Sequence, residues 1–162
     1  MLRSIPVLLA ALHLARAGLP IEQAQSYARI LQAEGARRRI DPLAVVALVE
    51  SESTWNPAAI GGTGGRCYGL GQICIDTLAI CGPNGRSDLC QAEQDSLMNG
   101  EYALRRTFAL LDVKRAHCNR VLHGRSTLRN WIADYKGFRC RGNALVVRRV
   151  LVRARELRRL RP

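Results

Sequence analysis

The stretch DPLAVVALVESES, residues 41–53, places apolar side chains around nearly the whole circumference of a helix. Asp41 is typical of a helix N-cap, because its carboxylate can accept a hydrogen bond from a free backbone N–H, and Pro42 suits the first helical position. A helix that is apolar on all sides is stable only when other elements cover it. We therefore predict a buried central helix that ends near Ser53.

Two carboxylates, Glu50 and Glu52, lie near the end of this predicted helix. They are about 200° apart around a helix axis, so they face different directions and cannot act as a pair. Each continues an apolar stripe, and burial there raises the pKa of a carboxyl group and keeps it protonated near neutral pH. That state suits a general acid in glycosidic cleavage, whereas the alternative is an ion pair with one of the many arginines. Helical periodicity does not choose between the two glutamates.

Outside this stretch the chain is helical in its periodicity, with no clean alternation of the kind typical of strands. One helix is predicted from Pro20 to a stop at Gly35. Three further helices are predicted at residues 92–111, 128–135 and 144–160. A glycine-rich loop at residues 61–65 lacks the spacing of phosphate-binding loops, and a turn is predicted at residues 81–85. No repeat or linker interrupts the chain, which indicates one all-α domain.

Residues 1–17 have the features of a secretory signal peptide. A short basic start precedes an apolar run at residues 5–14, and Ala15-Arg16-Ala17 fits an A-x-A cleavage site. The run is shorter than the ~20 apolar residues of a transmembrane span. Cleavage after Ala17 would leave a single domain at residues 18–162, and the alternative is that residues 1–17 contain the first helix of the domain.

The chain has 162 residues, the usual size of one domain, and six cysteines. Neither the cysteines nor the three histidines have zinc-site spacing, so we predict disulfides, with buried free thiols as the alternative. Disulfides in a small domain indicate an oxidising compartment, here the periplasm or the extracellular space. A turn separates Cys81 from Cys90 and favours that pair. Avoiding crossed bridges gives the remaining pairs, Cys118–Cys140 and Cys67–Cys74.

The net charge is strongly positive, with 25 Lys and Arg against 13 Asp and Glu, and nearly all of it comes from arginine. Such a field attracts an anionic partner: a nucleic acid, an acidic membrane surface or a cell-wall polymer. Specific nucleic-acid binding is disfavoured, because only 5% of the residues are aromatic and they do not interleave with the basic ones. Seven arginines and one glutamate occupy residues 148–161. The predicted C-terminal helix therefore either binds an anionic polymer or membrane surface, or presents a solvated basic face.

Three motifs occur in order along the chain: ESTWNP at residues 52–57, GLGQI at 69–73 and ADYKG at 133–137. They resemble the E-S-x-[FW]-N-P, G-L-M-Q-I and A-Y-N-A-G motifs of the soluble lytic transglycosylases (SLT), which belong to the goose-type lysozyme superfamily. The resemblance covers approximately residues 42–137. It implies a compact lysozyme-like helical domain in which the glycine-rich loop borders a substrate groove.

The resemblance assigns Glu52 as the catalytic acid. The substrate-binding residues that it implies are Ser53, Tyr68, Gln72 and Tyr135. This chain departs from the family pattern at Gly71, where methionine is usual, and at Lys136, where asparagine is usual. We expect these departures to affect the outer sugar subsites more than the acid itself.

The activity implied by the resemblance is cleavage of peptidoglycan between N-acetylmuramic acid and N-acetylglucosamine, by Glu52 alone and without a metal or cofactor. Glu52 first protonates the glycosidic oxygen and then takes a proton from the C6 hydroxyl, which attacks C1 and forms a 1,6-anhydro end. One alternative is hydrolysis of the same bond, with a water-activating base among Asp76, Asp88, Asp95 and Asp134. Another is a non-catalytic arginine-rich module that binds cell wall or another polyanion. We expect a monomer whose partner is the glycan strands of peptidoglycan.

Overall fold

A computed structural model of the chain describes residues 3–62, 64–81 and 88–160. Within these residues it has seven α-helices and one small antiparallel sheet. The helices are α1 (Ile5–Ala15), α2 (Ile21–Arg38), α3 (Pro42–Ser53), α4 (Asp88–Leu97), α5 (Gly100–Val121), α6 (Leu128–Tyr135) and α7 (Leu145–Leu157). This architecture confirms the predicted helical fold class. Thr63 and most of the turn predicted at residues 81–85 lie outside the described residues.

Helix α3 is the centre of the molecule, as its apolar sequence predicts. The Asp41 carboxylate accepts a hydrogen bond from the backbone N–H of Leu43 at 3.1 Å and caps the helix. Each residue from Leu43 to Val49 is at most 1% exposed, and α1, α2 and α7 pack against the helix. The same packing fixes the direction in which the end of α3, with its two glutamates, leaves the core.

The boundary predicted at Gly35 is wrong, because α2 continues to Arg38. A Cβ atom at Gly35 would lie 3.0 Å from the Ile40 carbonyl oxygen and 3.2 Å from Pro42 Cδ. This glycine therefore allows the start of α3 to approach α2 closely and does not stop the helix. Arg39 ends α2 instead, in the left-handed conformation with φ of 54°.

The helix predicted at residues 92–111 is divided into two helices. Helix α4 ends at Leu97, and Asn99 caps α5 by accepting a hydrogen bond from the backbone N–H of Tyr102 at 3.1 Å. The predicted helix at residues 128–135 coincides with α6, and α7 lies within the predicted range 144–160. Helix α5 packs against α2, α4 and α6, so it connects the core to the helix that carries the third motif.

The glycine-rich loop is part of a three-stranded antiparallel sheet that the sequence analysis did not predict. Its strands are β1 (Ile60–Gly61), β2 (Cys67–Tyr68) and β3 (Ile73–Cys74), in the order β1-β2-β3. Strands of two residues contain too little sequence to show alternation, which explains why the pattern was absent. The sheet lies between α3 and α4 in the chain and carries the second motif.

Three disulfides hold the connections between these elements, in the pairs that the sequence analysis favoured. Their partners are Cys67 and Cys74, Cys81 and Cys90, and Cys118 and Cys140. The first joins facing residues of β2 and β3, the second ties the turn after the sheet to α4, and the third ties α5 to the segment after α6. The bridges fit an oxidising compartment.

The segment interpreted as a signal peptide contains helix α1, which packs into the core. Leu8, Ala11 and Leu12 are fully buried, and α1 packs against both α2 and α3. The Gln32 amide donates a hydrogen bond to the Arg3 carbonyl oxygen at 2.9 Å. This placement fits the alternative of a first helix of the domain, and cleavage after Ala17 stays a prediction. None of the described helices combines the length and the apolar character required to cross a membrane.

Candidate active site

The two glutamates at the end of α3 have different surroundings. Arg153 of α7 holds Glu50 through two contacts, Nε to Oε2 at 2.8 Å and Nη2 to Oε1 at 3.0 Å. Glu52 lies on the other side of the helix, where its side chain is 15% exposed and lines a cavity of about 510 Å³. Glu50 therefore joins α3 to α7, and Glu52 is the carboxylate that a ligand in this cavity can reach.

The cavity brings together residues from all three sequence motifs. Its described lining consists of Glu52, Gly62, Cys67, Gln72, Cys74, Tyr135, Lys136 and Gly137. The end of α3 supplies the acid, the strands and the loops between them supply a second part of the lining, and the end of α6 supplies a third. Among these lining residues Glu52 is the only carboxylate, so any acid and base chemistry in the cavity that uses a carboxyl group uses this one.

Lys136 is the closest charged partner of Glu52. Its ammonium nitrogen donates a hydrogen bond to Glu52 Oε1 at 2.6 Å, and its side chain is only 10% exposed. Burial raises the pKa of Glu52, and the hydrogen bond and charge of Lys136 lower it by less. The pKa of Glu52 therefore lies above its usual value, which increases the fraction of protonated acid near neutral pH.

Tyr135 fixes the position of the loop that carries the second motif. Its hydroxyl donates a hydrogen bond to the Gly71 carbonyl oxygen at 2.6 Å. Burial first, and the negative charge of Glu52 second, raise the pKa of Tyr135 far above its usual range, so the phenol stays protonated. A Cβ atom at Gly71 would collide with this hydroxyl and with Thr107 Oγ1. The close approach therefore leaves no room for a side chain at position 71 in this structure.

Gln72 lines the cavity and at the same time braces the loop around it. Its backbone has a φ of 47°, in the left-handed region. Its side-chain nitrogen donates hydrogen bonds to the carbonyl oxygens of Ala59 at 3.0 Å and Gly69 at 3.1 Å. A Cβ atom at Gly61 would collide with Gln72 Oε1. The amide therefore holds β1 close to the second motif, beside the acid.

The structure does not bring Ser53 and Tyr68 into the cavity. Ser53 is buried, and its hydroxyl donates a hydrogen bond to the Val49 carbonyl oxygen at 3.4 Å. Tyr68 packs with Leu78 against a small cluster of buried residues that consists of Ile75, Cys81 and Cys90. Both positions are explained by packing, and a role of either residue in substrate binding stays a prediction.

Sequence reasoning missed two features of the cavity wall. It recorded Lys136 as a departure from the family motif, without the contact to Glu52 that the structure places there. It also proposed the bridge between Cys67 and Cys74 without placing both cysteines in the wall beside the acid. One signal could have revealed the first feature: Lys136 has an ammonium group at the position after Tyr135 where the family motif has the amide of asparagine.

The aspartates considered as bases for hydrolysis lie away from the described lining of the cavity. Asp76 pairs with Arg66, and Asp95 accepts a hydrogen bond from Gln91 at 2.9 Å. Asp88 lies in the first turn of α4. Asp134 is buried, and its carboxylate contacts His117 and Lys114.

Asp134 belongs to a group of three side chains that could in principle hold a metal ion, together with His117 and Cys140. His117 Nδ1 lies 2.9 Å from its carboxylate, and Lys114 Nζ lies 3.4 Å from it. Cys140 is bonded to Cys118, and the Lys114 ammonium already neutralises the carboxylate. The group is therefore better explained as a structural link between α5 and α6.

A helical domain that presents one partly buried glutamate in a cavity built from these three motifs has the architecture of the lysozyme-like glycan-cleaving enzymes. The family model of the transglycosylase SLT domain matches residues 29–121, more than half of the chain, and the chain belongs to this family. No curated protein and no solved structure matches it. The match includes Glu52 and Gln72 and ends before α6. Membership places the chain among transglycosylase-type enzymes that act on peptidoglycan.

Proposed function

We propose that this protein is a lytic transglycosylase that cleaves the bond between N-acetylmuramic acid and N-acetylglucosamine with Glu52 as its only catalytic carboxyl group. The observation that carries the proposal is the position of Glu52, since it is the only carboxylate among the described residues of the cavity. Its pKa, raised by burial, suits a group that must first donate a proton.

The reaction begins with transfer of the Glu52 proton to the glycosidic oxygen as the bond from this oxygen to C1 of the muramoyl sugar breaks. Positive charge develops on that sugar, and its own N-acetyl group stabilises it. The Glu52 carboxylate then removes the proton of the C6 hydroxyl while the C6 oxygen bonds to C1. The products are a 1,6-anhydro end and a free hydroxyl, Glu52 is protonated again, and no water is consumed.

Burial and Lys136 each stabilise one of the two states of Glu52 that this reaction requires. While Glu52 is protonated, burial of its carboxyl group supports the neutral form. After proton transfer, the ammonium at 2.6 Å stabilises the carboxylate that must act as the base. The pair therefore keeps the free-energy difference between the acid and base forms small, which suits a group that alternates between them.

Hydrolysis of the same bond is supported less well. Inverting hydrolysis uses a second carboxylate about 6.5–9.5 Å from the acid to activate water, and retaining hydrolysis uses one at about 5–5.5 Å. The candidate bases Asp76, Asp88, Asp95 and Asp134 are absent from the described lining of the cavity. The C6 hydroxyl of the substrate supplies the nucleophile without such a group.

The C-terminal helix provides the basis for a second contact with the cell envelope. Its inner face, including Val147 and Val150, is buried, and its ion pairs involve Arg153 and Arg158. Four exposed arginines have no ion-pair partner among the described residues: Arg148, Arg149, Arg155 and Arg159. We propose that this face holds the enzyme near anionic envelope polymers or lipids, in the periplasm or outside the cell. The expected result is binding to purified walls that weakens as the salt concentration rises, with little salt-dependent binding to DNA.

Turnover of purified peptidoglycan by Glu52→Gln and Glu50→Gln tests the assignment of the acid. Glutamine keeps the size of the side chain and removes the transferable proton. We expect Glu52→Gln to be inactive and Glu50→Gln to retain most of the wild-type rate, because Glu50 already pairs with Arg153. Full activity in Glu52→Gln, with loss in a folded Glu50→Gln, would overturn the proposal.

A further inference from the structure

A second cavity adjoins the candidate active site. It has a volume of about 420 Å³ and is lined by Gly137, Phe138, Arg139, Arg141, Asn143 and Ala144. Gly137 lines both cavities, so a ligand that occupies the first can extend into the second without leaving the surface. No motif used to identify the catalytic residues includes the residues after Gly137.

Two arginines give this cavity its chemical character. Arg139 and Arg141 are exposed, and neither has an ion-pair partner within the described residues. Other arginines near α3 are paired, such as Arg153 with Glu50 and Arg158 with Asp41. A guanidinium presents several donors in one plane and binds a carboxylate through two parallel hydrogen bonds. Two unpaired guanidinium groups on one short segment therefore favour an anionic ligand.

The segment that carries these arginines is held in a fixed shape. Arg139 and Cys140 both have positive φ, 45° and 60°, which residues with a side chain rarely adopt unless their surroundings impose it. Cys140 lies between the two arginines and is bonded to Cys118 of α5. Its carbonyl oxygen accepts a hydrogen bond from the Asn130 amide at 2.9 Å. The backbone that carries the arginines is thus held beside the cavity before a ligand arrives, which lowers the entropy lost on binding.

Phe138 adds an apolar surface to the same cavity, since its side chain is 42% exposed. An exposed aromatic ring beside two guanidinium groups suits a ligand that combines carboxylates with aliphatic parts. Short acidic peptides have this combination. Inorganic anions and neutral sugars each lack one half of it.

We propose that the cavity lined by Arg139 and Arg141 binds the carboxylates of the peptide attached to the muramoyl sugar beside the bond that is cleaved. The inference rests on the proposed function, because it takes the glycan strand as the occupant of the first cavity. On such a strand the peptide leaves the lactyl group of the muramoyl sugar and carries free carboxylates. The arginines then make peptide-bearing strands better substrates than strands from which an amidase has removed the peptide.

The test compares kcat/KM on the two kinds of strand for the wild type and for the double variant Arg139→Gln, Arg141→Gln. A matched control, Arg29→Gln with Arg120→Gln, removes the same charge from exposed positions on α2 and α5 that have no ion-pair partner among the described residues. Loss of charge-assisted hydrogen bonds predicts a fall of at least about tenfold in kcat/KM on peptide-bearing strands, mainly through KM. On peptide-free strands, and for the control on either substrate, we expect changes below about twofold.

Other outcomes overturn the inference. An equal fall on both strands would assign the arginines to the lactyl carboxylate or to general charge, and no fall would show that they do not bind substrate. Arg141 lies outside the left-handed region, in contrast to Arg139. The single variant Arg141→Gln therefore tests whether kcat/KM on peptide-bearing strands also falls when no residue with a positive φ is replaced.

Binding of a soluble muramoyl peptide to Glu52→Gln, measured by calorimetry, separates this inference from the proposed function. Peptide binding by Glu52→Gln, together with a wild-type protein that does not cleave peptidoglycan, would overturn only the proposed function. Binding that does not weaken when Arg139 and Arg141 are replaced would overturn only the inference.

Discussion

Replacing Lys136 with methionine removes the positive charge next to Glu52 and keeps most of the side-chain volume. The ammonium lies 2.6 Å from Glu52 Oε1, and both side chains are at most 15% exposed. At this separation, and with an effective dielectric constant of about 20, the attraction between unit charges is about 6 kcal/mol. The cost of burying the ammonium offsets much of this, and a neighbouring opposite charge usually changes the titration of a carboxyl group by about 1–3 pH units.

The sign of the effect follows from which form of Glu52 the lysine stabilises. Lys136 favours the carboxylate and so lowers the pKa of Glu52 against the larger effect of burial. Without it the pKa rises, and the proton-donating form persists to higher pH. The alkaline limb of the plot of kcat/KM against pH should therefore move upward by about 1–3 pH units in Lys136→Met.

The assay is the initial rate of cleavage of soluble glycan strands between about pH 4 and 9. This range covers the usual pKa of a glutamic acid and the higher values that burial produces. Lys136→Arg retains the charge and should keep the limb near that of the wild type. Lys114→Met changes the other lysine, which pairs with Asp134 at 3.4 Å, and should leave the limb unchanged. If the limb of Lys136→Met coincides with that of the wild type while Glu52→Gln is inactive, the lysine does not control the acid.

Three further predictions concern stability. Glu50→Gln breaks the half-buried pair with Arg153, so it should lower the free energy of unfolding by about 1 kcal/mol and leave kcat nearly unchanged. Urea unfolding and turnover measure the two effects, and an unchanged free energy of unfolding would contradict the prediction. Replacing both Cys118 and Cys140 with serine removes a crosslink between residues 22 apart in sequence and should lower the free energy of unfolding by about 3 kcal/mol. An unchanged urea midpoint would contradict this prediction. Gly71→Ala forces a methyl group against the Tyr135 hydroxyl and should lower stability by about 1–3 kcal/mol together with activity; a wild-type melting temperature would refute the close approach.

The central helix could be predicted from sequence because its determinants are local. Asp41, Pro42 and the continuous apolar run fix its start and its burial without reference to the rest of the chain. The choice between Glu50 and Glu52 could not be made in this way. Their partners lie 103 and 84 residues away in sequence, on α7 and at the end of α6, and only the tertiary fold brings them together.

Packing also overrode one local pattern, and a second local pattern is compatible with two outcomes. Gly35 is typical of a helix stop, yet it lies inside α2, where the close contact with Ile40 and Pro42 favours a residue without a side chain. The apolar run in α1 satisfies the rules for an export signal and for a buried helix equally well, because both need the same composition. The strands beside the active site are two residues long, too short for any periodic signal.

The identity of the chain ends produced from peptidoglycan tests the central claim most directly. Purified walls are digested in water labelled with heavy oxygen, and the released fragments are weighed by mass spectrometry. With Glu52 acting alone as acid and then base, the new muramoyl ends are 1,6-anhydro sugars, lighter than reducing ends by one water and free of the label. Reducing ends that carry the label would show that water is the nucleophile and would contradict the account.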